Sequence, residues 1–352
     1  MPQPFRIGVS SGFKTAAPGT IEPILTRLID PLPHVEWAFY DSGGGEPVKA
    51  DAIAGFEGII ALGSPYEAST VEGNGDLACL ARWGVGYDLV DTEALTANDI
   101  VLAIAVDAVR KPVSEAILTL ILALAKKLWA KDRLVRIGRW DLKAQTSGLG
   151  LSGKTVGSVG MGNIGGEMFR LLGPFDLGRR LAHDPYLDPT RAEALDVELV
   201  SLETIFSESD FVVTNCPLTE ETRGFINARL FSLMKPSAYF INTARGPIVN
   251  QEDLVAALEA GAIAGAGLDV VEPEPLPLDH PLIQMDNVIL SPHALAWTDD
   301  LYEKNGTIAC ESLLAVFRGE LPAFPVNREV IEQPGFREKL DGLAARWRQF
   351  EE

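Results

Sequence analysis

The chain has 352 residues, 47% apolar and 22% charged, a composition that suits two or more folded domains and excludes a disordered chain. Its net charge of −19 repels phosphate backbones and anionic lipid, so neither nucleic acid nor membrane is an expected partner, and an anionic substrate would need a local cation. Three scattered cysteines (Cys79, Cys216, Cys310) and four histidines without ligand spacing argue against a disulfide framework and against a metal site.

The N-terminal MPQPFRIGVS has no basic segment leading into a long apolar run, so a cytoplasmic protein is expected. Short apolar runs bounded by Gly, Pro, Asp or Asn then follow: Phe5–Val9, Val35–Phe39, Gly58–Leu62, Leu77–Arg82 and Ile100–Ile104. Segments of helical spacing, such as Ile21–Leu28 and Thr92–Ala97, lie between them. This alternation predicts a parallel sheet covered by helices on both faces.

A long helix is predicted from about Pro112 to about Ile137, with Pro112 in its first turn. Its stretch Ala116–Ala125 is apolar on nearly every side, which predicts burial in a core or against another subunit. That run is too short to span a bilayer and ends at Lys126 and Lys127.

A second alternation opens at Thr155. The strand candidates are Thr155–Gly160, Arg180–His183, Val197–Val200, Phe211–Thr214, Ala238–Asn242, Gly265–Asp269 and Val288–Leu290. Among the helices between them, Gln251–Ala260 follows a plausible N-cap at Asn250 and stops at Gly261. A helix from about Asp299 to Arg318, a Pro-rich stretch and a charged helix-like tail, Arg337–Glu352, complete the chain.

Gly160-x-Gly162-x-x-Gly165 sits between a strand candidate and a helix candidate, the context in which three glycines bind a dinucleotide. The first permits the tight turn, the second lets backbone approach a pyrophosphate, and the third lets the helix pack closely. The fingerprint requires an acidic residue about 20 positions on, for the adenosine ribose, and Asp184 stands there. A carboxylate at that place repels a 2′-phosphate, so NAD is expected over NADP.

Three later strand ends carry groups suited to hydride transfer at a carbinol carbon, which needs a base, a cation and a fixed coenzyme. Arg245, in Asn242-Thr243-Ala244-Arg245-Gly246, has the fork that matches a carboxylate. The loop Leu268–Pro275 offers Asp269, Glu272 and Glu274. His293, in Ser291-Pro292-His293, suits proton transfer near neutral pH.

With these residues in place, the chain resembles the D-isomer-specific 2-hydroxyacid dehydrogenase family. The matching segments run in family order: Gly84–Asp88, Leu151–Gly157, Gly160–Gly165, Asp184-Pro185-Tyr186, Pro217-Leu218-Thr219-x-x-Thr222, Asn242–Gly246, Leu268–Val270 and Ser291–His293. The resemblance implies that Arg245 binds the substrate carboxylate and that His293 is the acid/base. The family's glutamate follows its aspartate by five residues, which selects Glu274. It implies further that Asp269 faces the nicotinamide carboxamide, and that Val85 and Gly86 offer backbone N–H groups to the substrate. Asn163, Ile164, Cys216, Pro217, Thr222, Thr243 and Ala244 join the three glycines and Asp184 as expected cofactor contacts.

Two departures stand out: Asn215 replaces a histidine common in the family, and the tail beyond Asn327 outruns the usual family ending. The implied architecture is α/β, with two doubly wound parallel-sheet domains. One is a flavodoxin-like discontinuous substrate domain (1–105 and 299–352), the other a Rossmann NAD-binding domain (106–298). The expected protein is a homodimeric NAD-dependent oxidoreductase of small 2-hydroxy or 2-oxo acids. The alternative is a non-enzymatic NAD-sensing co-regulator of the same fold.

Overall fold

The computed structural model describes residues 2–351, and its contacts divide the chain into two compact units. One comprises the chain up to Val109 together with everything from Thr298 on; the other is Arg110–Trp297.

The first unit is built on five strands: β1 Phe5–Ser10, β2 Val35–Tyr40, β3 Gly58–Ala61, β4 Cys79–Arg82 and β5 Val101–Ala103. All pair in parallel, in the order β2-β1-β3-β4-β5. Central strands of such a sheet are covered on both faces, which is why Ile59 and Ile60, adjacent in sequence, are both buried. One face packs on the helices Glu22–Leu28 and Asp299–Phe317 through Ile7, Leu25, Leu313 and Phe317. At Gly306 a Cβ would lie 2.2 Å from the Ile24 side chain, so only glycine lets the two helices approach this closely. Thr298 caps the helix Asp299–Phe317 by accepting from the Leu301 amide.

The charged tail is a helix, Pro334–Glu351, whose stripe Phe336, Leu343, Ala344 and Trp347 is buried; Glu352 lies outside the described residues. Trp347 packs on Phe5 at 5.4 Å between ring centroids. Lys339 donates to the carbonyls of Leu77, Asn98 and Asp99, and Arg346 pairs with Glu57. The segment beyond Asn327 thus completes the core of the first unit.

The second unit holds β6 Thr155–Val159, β7 Arg179–His183, β8 Glu198–Leu199, β9 Phe211–Thr214, β10 Tyr239–Asn242, β11 Gly265–Leu268 and β12 Val288–Leu290. These pair in parallel, in the order β12-β11-β10-β9-β6-β7-β8. The strand order reverses between β6 and β9, and at such a reversal the carboxyl ends of the strands open a crevice for ligands. The helix Gln251–Glu259 starts where expected, with the Asn250 side chain accepting from the Asp253 amide.

The long helix differs from expectation. It begins six residues earlier, as Val106–Lys126, and breaks at Lys127, whose φ of 50° is left-handed; a separate helix, Leu128–Arg136, follows. Pro112 therefore lies inside the helix and not in its first turn, where its missing N–H leaves the turn before it one donor short. The apolar run does find a core: Ile117, Leu120, Ile121 and Leu124 pack on Val156, Met168 and Ile241. Among the described residues no helix is long and apolar enough to cross a membrane.

Candidate active site

The cofactor elements sit at the carboxyl ends of β6, β7 and β9. Gly160 has φ 92°, and a Cβ there would lie 2.7 Å from the Cys216 amide nitrogen; a Cβ on Gly165 would lie 2.8 Å from the Gly160 carbonyl oxygen. These two glycines serve close packing. Gly162 is different: a Cβ there meets nothing within 4 Å. It is the N-cap of the helix Asn163–Leu172, and no side chain caps that end. The first N–H groups of the helix, from Asn163, Ile164 and Gly165, thus meet no capping side chain, and with the positive end of the helix dipole and the open position at Gly162 they meet the requirement for a diphosphate.

Asp184 ends β7. Its Oδ2 accepts from the Met161 amide at 2.9 Å and its Oδ1 from the Tyr186 amide, so it ties the glycine turn to the next strand while each oxygen retains a further lone pair. Cys216 and Pro217 follow β9; burial pushes the Cys216 thiol up to about 12. Thr222 accepts from the Thr219 amide and donates to the Pro217 carbonyl, closing that turn. Asn215 donates to Ser158 Oγ, which donates to the Gly160 carbonyl, so the residue that replaces the family's histidine braces the fingerprint turn. Nothing in the motif pointed to Ser158; its signal is a hydroxyl on an otherwise apolar strand. Thr243, after β10, has a buried hydroxyl with no hydrogen-bond partner among the described residues. A dinucleotide fits this set: an uncapped helix end, a glycine gap in front of it, a strand-end carboxylate and an orphaned hydroxyl.

The other cluster lies at the carboxyl ends of β10, β11 and β12. Asn242 orders the first turn, accepting from the Ala244 amide and donating to the Arg245 carbonyl. At Gly246 a Cβ would lie 2.1 Å from the Val271 carbonyl oxygen, so glycine lets the Arg245 turn close on the acidic loop. In that loop Glu274 Oε1 accepts from the Val271 amide, and Oε2 meets His293 Nδ1 at 2.9 Å. Glu272 is elsewhere, its backbone bonded to the Gln251 side chain. Burial raises the Glu274 carboxyl, but the bond and charge of His293, the Val271 amide and the charge of Arg245 outweigh it and hold it below its ordinary value. His293 has φ 53° and is half-exposed. Asp269 is buried, with Oδ1 taking three donors from the turn around His293. Asp269, Glu274, Ser291 and His293 line a half-open cavity of about 440 Å³, together with the apolar Val271, Leu276 and Leu290.

Arg245, Glu274 and His293, which come from three separate strand ends, thus form one cluster of a cation, a carboxylate and an imidazole within the second unit. Val85 and Gly86 belong to the first unit, half-buried in the turn after β4. Among the described residues no group of three or more His, Cys, Asp or Glu could hold a metal ion.

Residues 118–294 match the family model of the D-isomer specific 2-hydroxyacid dehydrogenase NAD binding domain. Glyoxylate reductase of Korarchaeum cryptofilum is 37% identical over 284 residues, 79% of this chain and 85% of the relative. D-3-phosphoglycerate dehydrogenase of Methanocaldococcus jannaschii is 36% identical over 286 residues, 81% of this chain and 53% of that longer protein. Among solved structures, the TT0316 protein of Thermus thermophilus superposes with a TM-score of 0.79 at 30% identity, covering 92% of this chain and 100% of its own. The chain therefore belongs to the D-isomer specific 2-hydroxyacid dehydrogenase family: it is an NAD-dependent oxidoreductase that moves a hydride between NAD(H) and C2 of a small D-2-hydroxy or 2-oxo acid.

Proposed function

We propose that Arg245, Glu274 and His293 carry this reaction, on the strength of one observation, the Glu274–His293 contact at 2.9 Å. When bound, NADH supplies the hydride that adds to C2. His293 uses Nδ1 to meet Glu274, which leaves Nε2 to give its proton to the carbonyl oxygen of a 2-oxo acid. Glu274, ionised, orients the ring and favours its protonated form. Arg245 holds the substrate carboxylate in its fork and stabilises charge developing on the carbonyl oxygen. In oxidation His293 takes the hydroxyl proton instead.

For the cofactor, Gly160, Gly162, Asn163, Ile164 and Gly165 would hold the diphosphate and Asp184 the adenosine ribose. Cys216, Pro217, Thr222, Thr243 and Ala244 would line the remainder, and Asp269 would offer Oδ2 to the carboxamide. Arg179 and Arg180 are engaged by Glu198, Glu208 and the Leu195 carbonyl, which supports NAD over NADP. In this reading 106–298 is the NAD-binding domain and carries Arg245, Glu274 and His293, and 1–105 with 299–352 forms the substrate domain.

The protein is proposed to be a homodimer in the cytoplasm. Leu128, Trp129, Val135, Ile137 and Trp140 are each more than half exposed, and large apolar side chains gathered so near one another in the chain favour cover by a second subunit. Three free thiols suit a reducing compartment.

Replacing His293 with Ala should lower turnover of 2-oxo acids by about 10²–10⁴-fold while NADH affinity, read by nicotinamide fluorescence, stays near wild type. Persistent turnover would remove His293 from its role. Turnover should be measured with glyoxylate in reduction and D-3-phosphoglycerate in oxidation, the acids in the relatives' names.

A further inference from the structure

We propose that Ser291 is a positioning residue for the acid/base: its hydroxyl fastens the turn that aims His293 to the carboxylate of Asp269. This inference rests on His293 being the acid/base.

β12 ends at Leu290, and the chain must leave the sheet and present an imidazole within three residues. It does so around one carboxylate. Asp269 Oδ1 accepts from Ser291 Oγ at 2.5 Å and from the amides of Ala294 and Leu295 at 3.1 Å each. The backbone joins in: the His293 amide donates to the Asp269 carbonyl at 2.7 Å, and the Ser291 amide donates to the Leu268 carbonyl. Five donors from residues 291–295 thus converge on residues 268–269, the end of the neighbouring strand.

The convergence answers two costs. Asp269 is 5% exposed, and a buried carboxylate is tolerated only where donors replace its water. His293 has a left-handed backbone, a conformation that a non-glycine residue keeps only where its surroundings over-determine it. Among the bonds that meet both, the Ser291 hydroxyl is the single side-chain donor; the others are backbone amides, which only proline would remove. It also stands two residues before His293, with Pro292 holding the step between them stiff. Without the hydroxyl the turn keeps its amides but loses the anchor at its entry. His293 can then swing from Glu274 Oε2, while Arg245 and Asp269 remain as the neighbouring charges.

The test uses the full-length enzyme with a 2-oxo acid that it reduces, and compares Ser291→Ala, Ser291→Thr and His293→Ala. NADH affinity by fluorescence reports folding and the cofactor site. In Ser291→Ala, kcat should fall by roughly 10- to 100-fold with NADH affinity kept, since a misplacement of about 1 Å suffices for such a loss. The pH profile of its kcat/KM should also differ from wild type, because the ring loses its contact with the Glu274 carboxylate. Ser291→Thr, which keeps the hydroxyl, should restore both. A merely structural hydroxyl would alter folding without moving the pH profile. The proposal is overturned if Ser291→Ala has wild-type kcat and profile while His293→Ala is inactive, or if Ser291→Thr binds NADH yet stays as impaired as Ser291→Ala. Should Ser291→Ala not fold, the isosteric Ser291→Cys takes its place with the same two outcomes. If His293→Ala remains active, the underlying reading fails and this inference falls with it.

Discussion

The two units use one construction, a parallel sheet covered by helices, and put their buried polar bonds to different ends. In Arg110–Trp297 the side-chain bonds gather at the carboxyl ends of strands and hold turns: Asn242 on Ala244 and Arg245, Asp269 on Ser291–Leu295, Asp184 on Met161. In the other unit a set of them fastens the end of the chain to the sheet. Asn327 bonds to Leu102, Ile100 and Thr96, Lys339 to three carbonyls, and Arg346 to Glu57. A packing defect in the first unit should thus appear as lost stability. A small change at a strand end of the second should appear as lost chemistry.

The largest effect expected on that contrast comes from Trp347→Ala. It empties a buried site against Phe5 and should cost about 3–5 kcal/mol of stability, read by denaturant unfolding. NADH affinity of the folded protein should not change; a loss of NADH binding before unfolding would erase the distinction between the units. Next comes Glu274→Gln. The Glu274 carboxyl is held below its ordinary value, so the carboxylate that meets His293 carries its charge at neutral pH and takes a proton only as the pH falls into the acid range. Removing that charge should lower kcat at neutral pH by roughly tenfold or more while NADH affinity is kept. An unchanged kcat would dissociate Glu274 from the proton transfer.

A glycine pair sharpens the contrast within one motif. Gly162→Ala meets open space and should leave thermal stability unchanged while weakening NADH binding by about tenfold, because the methyl occupies the approach to the helix end. Gly160→Ala, forced against the Cys216 and Asn215 backbone at a positive φ, should destabilise the unit itself. Equal behaviour of the two variants would contradict their separate roles. The smallest effect belongs to His34, stacked on Phe350 beside Trp347. Burial lowers its pKa below 6.5, against the Glu351 charge, which raises it, and with Arg318 lowering it further. The neutral ring is thus favoured in the folded state, and stability present above pH 6.5 is lost as pH falls through the folded value. In His34→Gln the unfolding midpoint should respond less to pH over that window.

Much of this was legible in the sequence because local patterning and tertiary demand agreed. The runs at Phe5, Val35, Gly58, Phe211 and Val288 became strands; at Gly58 and Phe211, inside the two sheets, every strand residue is buried, which is what a central parallel strand requires. The helix Val106–Lys126 was placed poorly because a proline normally signals a first turn, and packing of Ile117, Leu120 and Leu124 overrode that signal. The tail was read as charged because its apolar stripe covers only one face, and what that face meets is not written locally. Ser158 and Ser291 were missed for a similar reason: a hydroxyl gains a role only through the acceptor the fold brings to it.

Local chemistry written along the chain determined the order of strands and helices, the glycine turn, the acid that follows it, and which residue types could perform hydride chemistry. Tertiary structure alone decided that the hydroxyls of Ser158 and Ser291 brace two turns, where the long helix breaks, and that the last helix seals the sheet of the first unit. Those outcomes depend on contacts between residues distant in sequence, where burial and hydrogen-bond geometry choose among side chains of equal local fitness.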